Sequence, residues 1–250
     1  MRIIISPAKK MRIDNDSLAY DHLPQFIKDT EVLKSYLKEL SYEKLKSIWN
    51  CSDKIASLNY ERIHNMDLYS NLTPAILSFE GIQYQYMGPG VFEAKAFEYI
   101  ETHLRILSGF YGMLRPFDGV VPYRLEMQAK LGDNDLNSLY EFWNRRLADQ
   151  LFSESNCIIN LASKEYSKCI SKYLNKKVRF ITCVFGEMIG NKVVEKGTLA
   201  KMARGEMVRF MAEKQIADVE DIKSFRRLNY AFVDRLSDEN TYIFLKEMVL

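Results

Sequence analysis

The chain has 250 residues, of which 47% are hydrophobic and 27% are charged, with only 11 Gly and 6 Pro. These values are typical of a globular protein and exclude a collagen-like or largely disordered chain. The 35 Lys and Arg nearly balance the 33 Asp and Glu, which excludes a histone-like or tail-driven nucleic-acid binder. An anionic partner must therefore be bound by a local cluster of cations.

The first segment, residues 2–5, is a short apolar run that we predict to be a strand. Its three consecutive Ile residues are far fewer than the apolar core of a signal peptide requires. The sequence also contains no uninterrupted run of about 18 apolar residues. We therefore expect a cytoplasmic protein with no membrane partner. Four Cys and three His are scattered along the chain, so we expect reduced thiols, no metal site and no cofactor.

Helical and strand patterns then alternate along the chain. The spacing of Leu among Lys and Glu predicts helices across residues 24–66. Further along, strands are expected at 105–107, 157–161, 178–185, 231–233 and 242–245, and helices at about 91–104, 138–151, 163–174 and 198–214. This alternation predicts a mixed α/β (α+β) fold in which helices flank a central mixed sheet. Because repeats and linkers are lacking, we expect a single domain over residues 1–250, which could include a helical insertion at about 24–70.

Three of the predicted strands are followed closely by a serine. These are Ser6, Ser108 and Ser163, and Lys9 and Lys164 are close by in sequence. Ligands of open α/β sheets bind beyond the carboxyl ends of the strands, where helix N-termini offer free N–H groups to anions. The three serines would then share one polar site. Alternatively, each serine simply caps the helix that follows its strand.

Residues 107–127 are too rich in Gly, Pro and charge for one helix or strand, yet they contain many large apolar side chains. A buried, irregular loop of this length is typical of a functional segment. Its charged residues are Arg115, Asp118, Arg124 and Glu126. They either form two ion pairs that hold the loop, or the arginines bind a phosphate or carboxylate while an acid positions them or acts as general base. The candidate catalytic residues are Ser108, Asp118 and Glu126.

Six blocks follow one another along the sequence. They are ISPAKKM at 5–11, PAILSFEGIQYQYM at 74–87, ILSGFYGMLRPFDGVVPYRLEM at 106–127, LYEFWN at 139–144, IINLASKEY at 158–166 and KMARGEMVR at 201–209. Through these blocks the chain resembles the bacterial YaaA-type peroxide-stress family over essentially its whole length. The resemblance implies a cytoplasmic protein, made under hydrogen peroxide stress, that limits free intracellular iron and so protects DNA and proteins from oxidation. It also implies a DNA-binding surface in a positively charged cleft and a helix-hairpin-helix element.

Residues 87–91, MGPGV, resemble the turn of such a helix-hairpin-helix. Gly88 and Gly90 would let the backbone approach a phosphate, the second glycine would open a helix, and Lys95 lies nearby. Contacts of this kind recognise phosphates rather than bases, so DNA binding would be largely independent of sequence and weakened by salt. The same residues also fit an ordinary turn.

The predicted helix at about 198–214 carries cations on one side. Lys201, Arg204 and Arg209 lie opposite its apolar arc. Gly205, in mid-helix, indicates the close approach of another backbone or a ligand, or tight packing.

Two functions from different classes fit these observations. The first is a non-enzymatic stress protein, expected to be a monomer, that binds duplex DNA through a cleft of cations. The second is an enzyme that acts on a nucleotide or another small anionic metabolite through Ser108, Asp118, Arg124 and Glu126. An open groove as wide as a duplex favours the first, and an enclosed pocket with Asp118 and Glu126 favours the second. The expected cations of the cleft are Lys9, Arg115, Arg124, Lys164, Lys201, Arg204 and Arg209.

Overall fold

The computed structural model describes residues 1–132 and 137–247. The strands are β1 (Arg2–Ile5), β2 (Lys10–Met11), β3 (Thr73–Pro74), β4 (Phe79–Glu80), β5 (Leu104–Ser108), β6 (Gly112–Leu114), β7 (Gly119–Val120), β8 (Cys157–Leu161), β9 (Arg179–Ile189), β10 (Lys192–Val194), β11 (Tyr230–Phe232) and β12 (Thr241–Lys246). The helices are α1 (Ile27–Glu39), α2 (Tyr42–Trp49), α3 (Asp53–Asn65), α4 (Ala75–Ser78), α5 (Ile82–Met87), α6 (Ala94–His103), α7 (Leu139–Trp143), α8 (Arg146–Glu154), α9 (Lys164–Ser171) and α10 (Gly197–Lys214). The mixed α/β architecture is confirmed.

The central sheet has the strand order β11-β12-β9-β8-β1-β5-β6, and β10 pairs with β9. The first strand lies in the middle of this sheet, parallel to both of its neighbours: Ile5 pairs with Ile106 of β5 and with Leu161 of β8. The Ile run of β1 is fully buried, as expected for a parallel strand that is covered on both faces. All six strands predicted from apolar runs are confirmed, with ends shifted by a few residues at most.

The predicted helical region at residues 24–66 consists of α1, α2 and α3. Their apolar faces belong to the same hydrophobic core as the central sheet, through residues such as Leu33, Leu45 and Ile63. The prediction of one helix at 138–151 is wrong, because α7 and α8 are separate. They part at Asn144, whose φ of 44° is left-handed, a conformation that Asn tolerates better than most residues.

Helix α10 packs closely along the short helix α5. A Cβ atom on Gly205 would lie only 2.1 Å from the carbonyl oxygen of Gln83. The close approach expected at Gly205 is therefore that of another backbone, and it holds α5 and α10 side by side. Among the described residues, no helix is both long and apolar enough to span a membrane.

Candidate functional site

A cavity of about 390 Å³ opens at the carboxyl ends of β1 and β8. The strands that follow β1 in the sheet, β5 and β6, lie on one side of it, whereas β8 and β9 lie on its other side. The strand order therefore changes direction between β1 and β8. In open α/β sheets such a crevice is the usual place for a ligand. We call it the inner cavity; its wall includes Ser6, Lys9, Lys10, Glu80, Gln83, Tyr84, Tyr123, Arg124, Glu126, Ser163, Glu165, Tyr166, Lys201 and Arg204.

Two of the three predicted serines meet at this edge. The Ser6 hydroxyl accepts the backbone N–H of Ser163 at 2.8 Å and donates to the Ser163 hydroxyl at 3.2 Å. Ser163 stands at the N-cap of α9, but its side chain makes no capping hydrogen bond. A simple capping role is therefore wrong for Ser163, and the first turn of α9 has no side-chain cap at the rim of the inner cavity.

Ser108 also ends its strand at this edge but is fully buried. Its hydroxyl lies 2.6 Å from the Tyr123 hydroxyl and accepts the backbone N–H of Tyr111 at 2.8 Å. It is outside the wall of the inner cavity, because Tyr123 covers it. These contacts indicate that Ser108 shapes the turn after β5.

Arg124 and Glu126 lie on the wall of the inner cavity. Glu126 Oε1 accepts a hydrogen bond from Arg124 at 3.2 Å, and its Oε2 lies 2.8 Å from the Lys9 ammonium. One carboxylate thus forms ion pairs with two cations. Arg124 Nε is buried and has no acceptor among the described residues. The pair therefore leaves one guanidinium donor without an acceptor in the described part of the chain, while Arg124 Nη2 also lies 3.5 Å from the Trp49 carbonyl oxygen.

Arg115 and Asp118 form a second, separate ion pair outside the inner cavity. Asp118 is fully buried and accepts the Arg115 backbone N–H, Nε and Nη2 groups, each at 2.9 Å. Burial raises the pKa of the Asp118 carboxyl to about 6, although Arg115 opposes the shift. Of the four residues of the enzymatic alternative, the inner cavity therefore contains Arg124 and Glu126 but not Ser108 or Asp118.

Helix α10 contributes Lys201 and Arg204 to the wall of the inner cavity. Arg204 pairs with Glu195 at 3.0 Å, and its Nε is buried without an acceptor among the described residues. Arg209 pairs with Glu213 at 2.7 Å and lies one and a half turns further along. It is near the turn after α5, since a Cβ on Gly88 would be 3.3 Å from its Nη1.

The turn between α5 and α6 contains Gly88, in the left-handed region with φ 62°, and an exposed Gly90. Gly90 does not open the next helix, because a 3₁₀ turn at Pro89–Val91 intervenes and α6 begins at Ala94 after Glu93. Lys95 is exposed on α6. The expectation that the second glycine starts the helix is wrong, since Gly90 lies within the 3₁₀ turn and residues 91–93 separate it from α6.

Gly90 borders a second cavity of about 350 Å³, which we call the outer groove. It shares Lys10, Glu80 and Tyr84 with the inner cavity and adds Arg12. The two together are called the cleft below. Arg115, Lys164 and Lys95 do not line it, and Lys164 is exposed at the start of α9.

Several residues of the cleft were missed by the sequence analysis. Lys10 and Glu80 lie opposite each other in the β2–β4 pair and form an ion pair of 2.8 Å. Gln83 and Tyr84 come from α5, and Tyr84 donates to the Ser6 carbonyl at 2.9 Å. The signal that could have found them is the pairing of two family-like blocks, residues 5–11 and 74–87, each of which carries a strand of this pair.

Burial also alters the ionisable groups of the inner cavity. It raises the pKa values of the Tyr84 and Tyr166 phenols well above their ordinary range, so both hydroxyls remain protonated. Burial likewise raises the pKa of the Glu165 carboxyl. In the part of the chain that the structure describes, no three His, Cys, Asp or Glu residues are grouped as metal ligands would be.

Comparisons with known proteins cover nearly the whole chain. A family model described as peroxide stress protein YaaA matches residues 1–236. A UPF0246 protein of Agathobacter rectalis is 56% identical over 99% of this chain and 100% of its own length. Proteins of the same description from Lachnoclostridium phytofermentans and Desulfitobacterium hafniense are 57% and 54% identical, over 98% and 99% of this chain and 96% and 99% of their own lengths.

Proposed function

Since the chain belongs to the YaaA family of peroxide stress proteins, we propose that it protects DNA during peroxide stress by binding duplex DNA through the cleft. The observation that carries this proposal is the concentration of cations there. Six cations line the cleft against three carboxylates, although the whole chain is nearly neutral. The cations are Lys9, Lys10, Arg12, Arg124, Lys201 and Arg204.

The proposed contacts are with phosphates and not with bases. The cleft cations lie in and beside β2, on α10 and in the loop before Glu126, so they offer charge along a path rather than one recognition element. Arg209 lies beside the Gly88 turn, where exposed backbone at Gly90 can approach a phosphate. Binding of this type is largely independent of sequence and falls as salt rises.

The proposed effect on iron damage follows from the same electrostatics. DNA carries condensed cations, and a protein that neutralises phosphates releases them. Ferrous ions held near the duplex would be released with the rest, so that radicals from iron and peroxide form further from the DNA. This route of protection requires no metal site in the protein.

A salt titration of DNA binding tests the proposal. Replacing the exposed cleft residues Lys9, Lys10 and Lys201 together by Ala should weaken binding to every duplex and reduce the slope of log K against log salt by about 3, since each phosphate contact contributes about 0.9. The matched control is a triple Ala variant at Lys172, Lys176 and Lys177, which are exposed in the segment after α9.

The control variant should keep the affinity and slope of the unaltered protein. Equal losses in the two triple variants, or an affinity that does not change with salt, would contradict the proposed cleft. Nicking of plasmid DNA by ferrous iron and peroxide should fall in the presence of the protein and be restored in the cleft variant only.

A further inference from the structure

We infer that the inner cavity binds the phosphate monoester of a single nucleotide, either free in solution or at the 5′ end of a DNA strand. This inference goes beyond the proposed function, because internal DNA phosphates are diesters and need only the outer surface of the cleft. It concerns only the part of the cleft that lies beyond the carboxyl ends of β1 and β8.

The first support is the set of hydrogen-bond donors at the sheet edge. The hydroxyls of Ser6 and Ser163 lie side by side, and the first turn of α9 has no side-chain cap. Backbone N–H groups at the start of a helix point outward and carry partial positive charge, which favours a phosphate. A phosphate here would accept from the helix start and from one serine hydroxyl at the same time.

The second support is independent of the helix. Gln83 lines the inner cavity and is only 7% exposed, and its Nε2 has no acceptor among the described residues. Buried amide N–H groups are nearly always paired, because an unpaired one lowers stability. The oxygens of a ligand in the inner cavity would supply the acceptor for Gln83.

The third support is charge. Five cations and three carboxylates line the inner cavity, a surplus of two positive charges, or of one when Glu195, the partner of Arg204, is included. A phosphate monoester carries about −1.5 to −2 at neutral pH, whereas a diester carries a single charge. A surplus of one to two positive charges therefore favours an anionic ligand such as a phosphate monoester.

The fourth support is size. The inner cavity, of about 390 Å³, is within the range of roughly 300 to 1,000 Å³ that holds one small molecule. It is bounded by the rings of Tyr84, Tyr123 and Tyr166, so it has apolar walls as well as polar groups. A duplex does not fit inside it, but one nucleotide does.

The test is a calorimetric titration of the full chain with deoxyadenosine 5′-monophosphate and, separately, with deoxyadenosine. We expect the monophosphate to bind and the nucleoside to bind at least tenfold more weakly. Gln83→Leu should weaken monophosphate binding at least tenfold, since a hydrogen bond to a charged group is lost. It should leave the fold intact, because Leu is similar in volume and needs no partner.

Gln85→Leu is the matched control, since Gln85 is exposed on the same helix and lines only the outer groove. Equal binding of monophosphate and nucleoside, no binding of either, or equal effects of the two Gln variants would overturn the inference. A DNA hairpin with and without a 5′-phosphate separates the two sources. If the phosphorylated hairpin binds more tightly and Gln83→Leu abolishes the difference, the ligand is the DNA end. If the two hairpins bind equally while the free monophosphate binds, the ligand is the free nucleotide. If monophosphate binds while duplex affinity is absent, the proposed function fails and this inference stands.

Discussion

Two ion pairs from one loop, Arg115–Asp118 and Arg124–Glu126, have the same chemistry and different surroundings. Asp118 is fully buried and receives three N–H groups of a single arginine. Glu126 lies on the wall of the inner cavity and is shared by Arg124 and Lys9. The first pair is complete in itself, whereas the second has more positive than negative charge. Partner count and burial, rather than residue type, therefore distinguish the self-contained pair from the pair that we propose binds a further anion.

The largest expected effect on stability is that of Asp118→Asn, which removes the buried carboxylate of the first pair. It replaces one acceptor oxygen by an amide donor that faces the N–H groups of Arg115, so buried donors lose their acceptor. We expect a loss of about 2 kcal/mol in the free energy of unfolding, as for other buried donors left without an acceptor, measured by urea denaturation. Glu126→Gln should lose less than about 1 kcal/mol, because its partners are within reach of water. Similar losses at the two positions would show that both pairs are structural.

The contribution of Asp118 to stability should also depend on pH. Burial raises the pKa of Asp118 to about 6, above its value in the unfolded chain, so the folded protein binds the extra proton between about pH 4 and pH 6. The stability that Asp118 contributes is therefore greatest below this range and is lost as the pH rises through 6. The difference in unfolding free energy between the unaltered protein and Asp118→Asn should decrease by about 1 kcal/mol from pH 5 to pH 7.5. An increase over that range would mean that attraction by Arg115 outweighs burial.

The smallest expected effect is on the open pair. Glu126→Gln removes one negative charge from the cleft and releases both Lys9 and Arg124 to a bound phosphate. We expect duplex affinity to rise roughly fivefold at low salt, equivalent to about 1 kcal/mol, and the gain to shrink as salt rises. Filter binding at several salt concentrations measures it. Unchanged or weaker affinity would indicate that Glu126 holds the two cations in their binding positions.

Much of the fold could be predicted from the sequence because its strands are buried on both faces. The Ile3–Ile5 run and the Cys157–Ile159 run of β8 are continuous apolar stretches bounded by polar residues, which is the pattern of central parallel strands. The break at Asn144 could not be predicted, since nothing in a helical pattern marks one Asn as left-handed. The start of α6 is likewise later than expected, because the Gly-Pro-Gly segment forms a 3₁₀ turn with hydrogen bonds from Val91 to Gly88 and from Phe92 to Pro89, and such a segment fits several turn types.

The candidate site could be predicted only in part, for a related reason. Ser6 and Ser163 follow adjacent parallel strands, whose carboxyl ends lie at the same edge of the sheet, so the two serines are expected to lie close together. Ser108 follows a strand of the same sheet, but the β5–β6 hairpin and Tyr123 enclose it. Gln83 reaches the inner cavity only because Gly205 lets α10 lie against α5. A packing distance of this kind has no short-range signal in the sequence.

The central place of β1 has a consequence for the synthesis of the protein. Its partners, β5 and β8, lie about one hundred and one hundred and fifty residues further along the chain. At 5 to 20 residues per second, β8 is complete roughly 8 to 30 s after β1. For roughly the first 5 to 20 s the Ile run has neither neighbour, and until β8 is made it has β5 alone. Because unpaired apolar strands are prone to aggregate, the nascent chain carries an aggregation-prone edge at its first residues until β8 has been made.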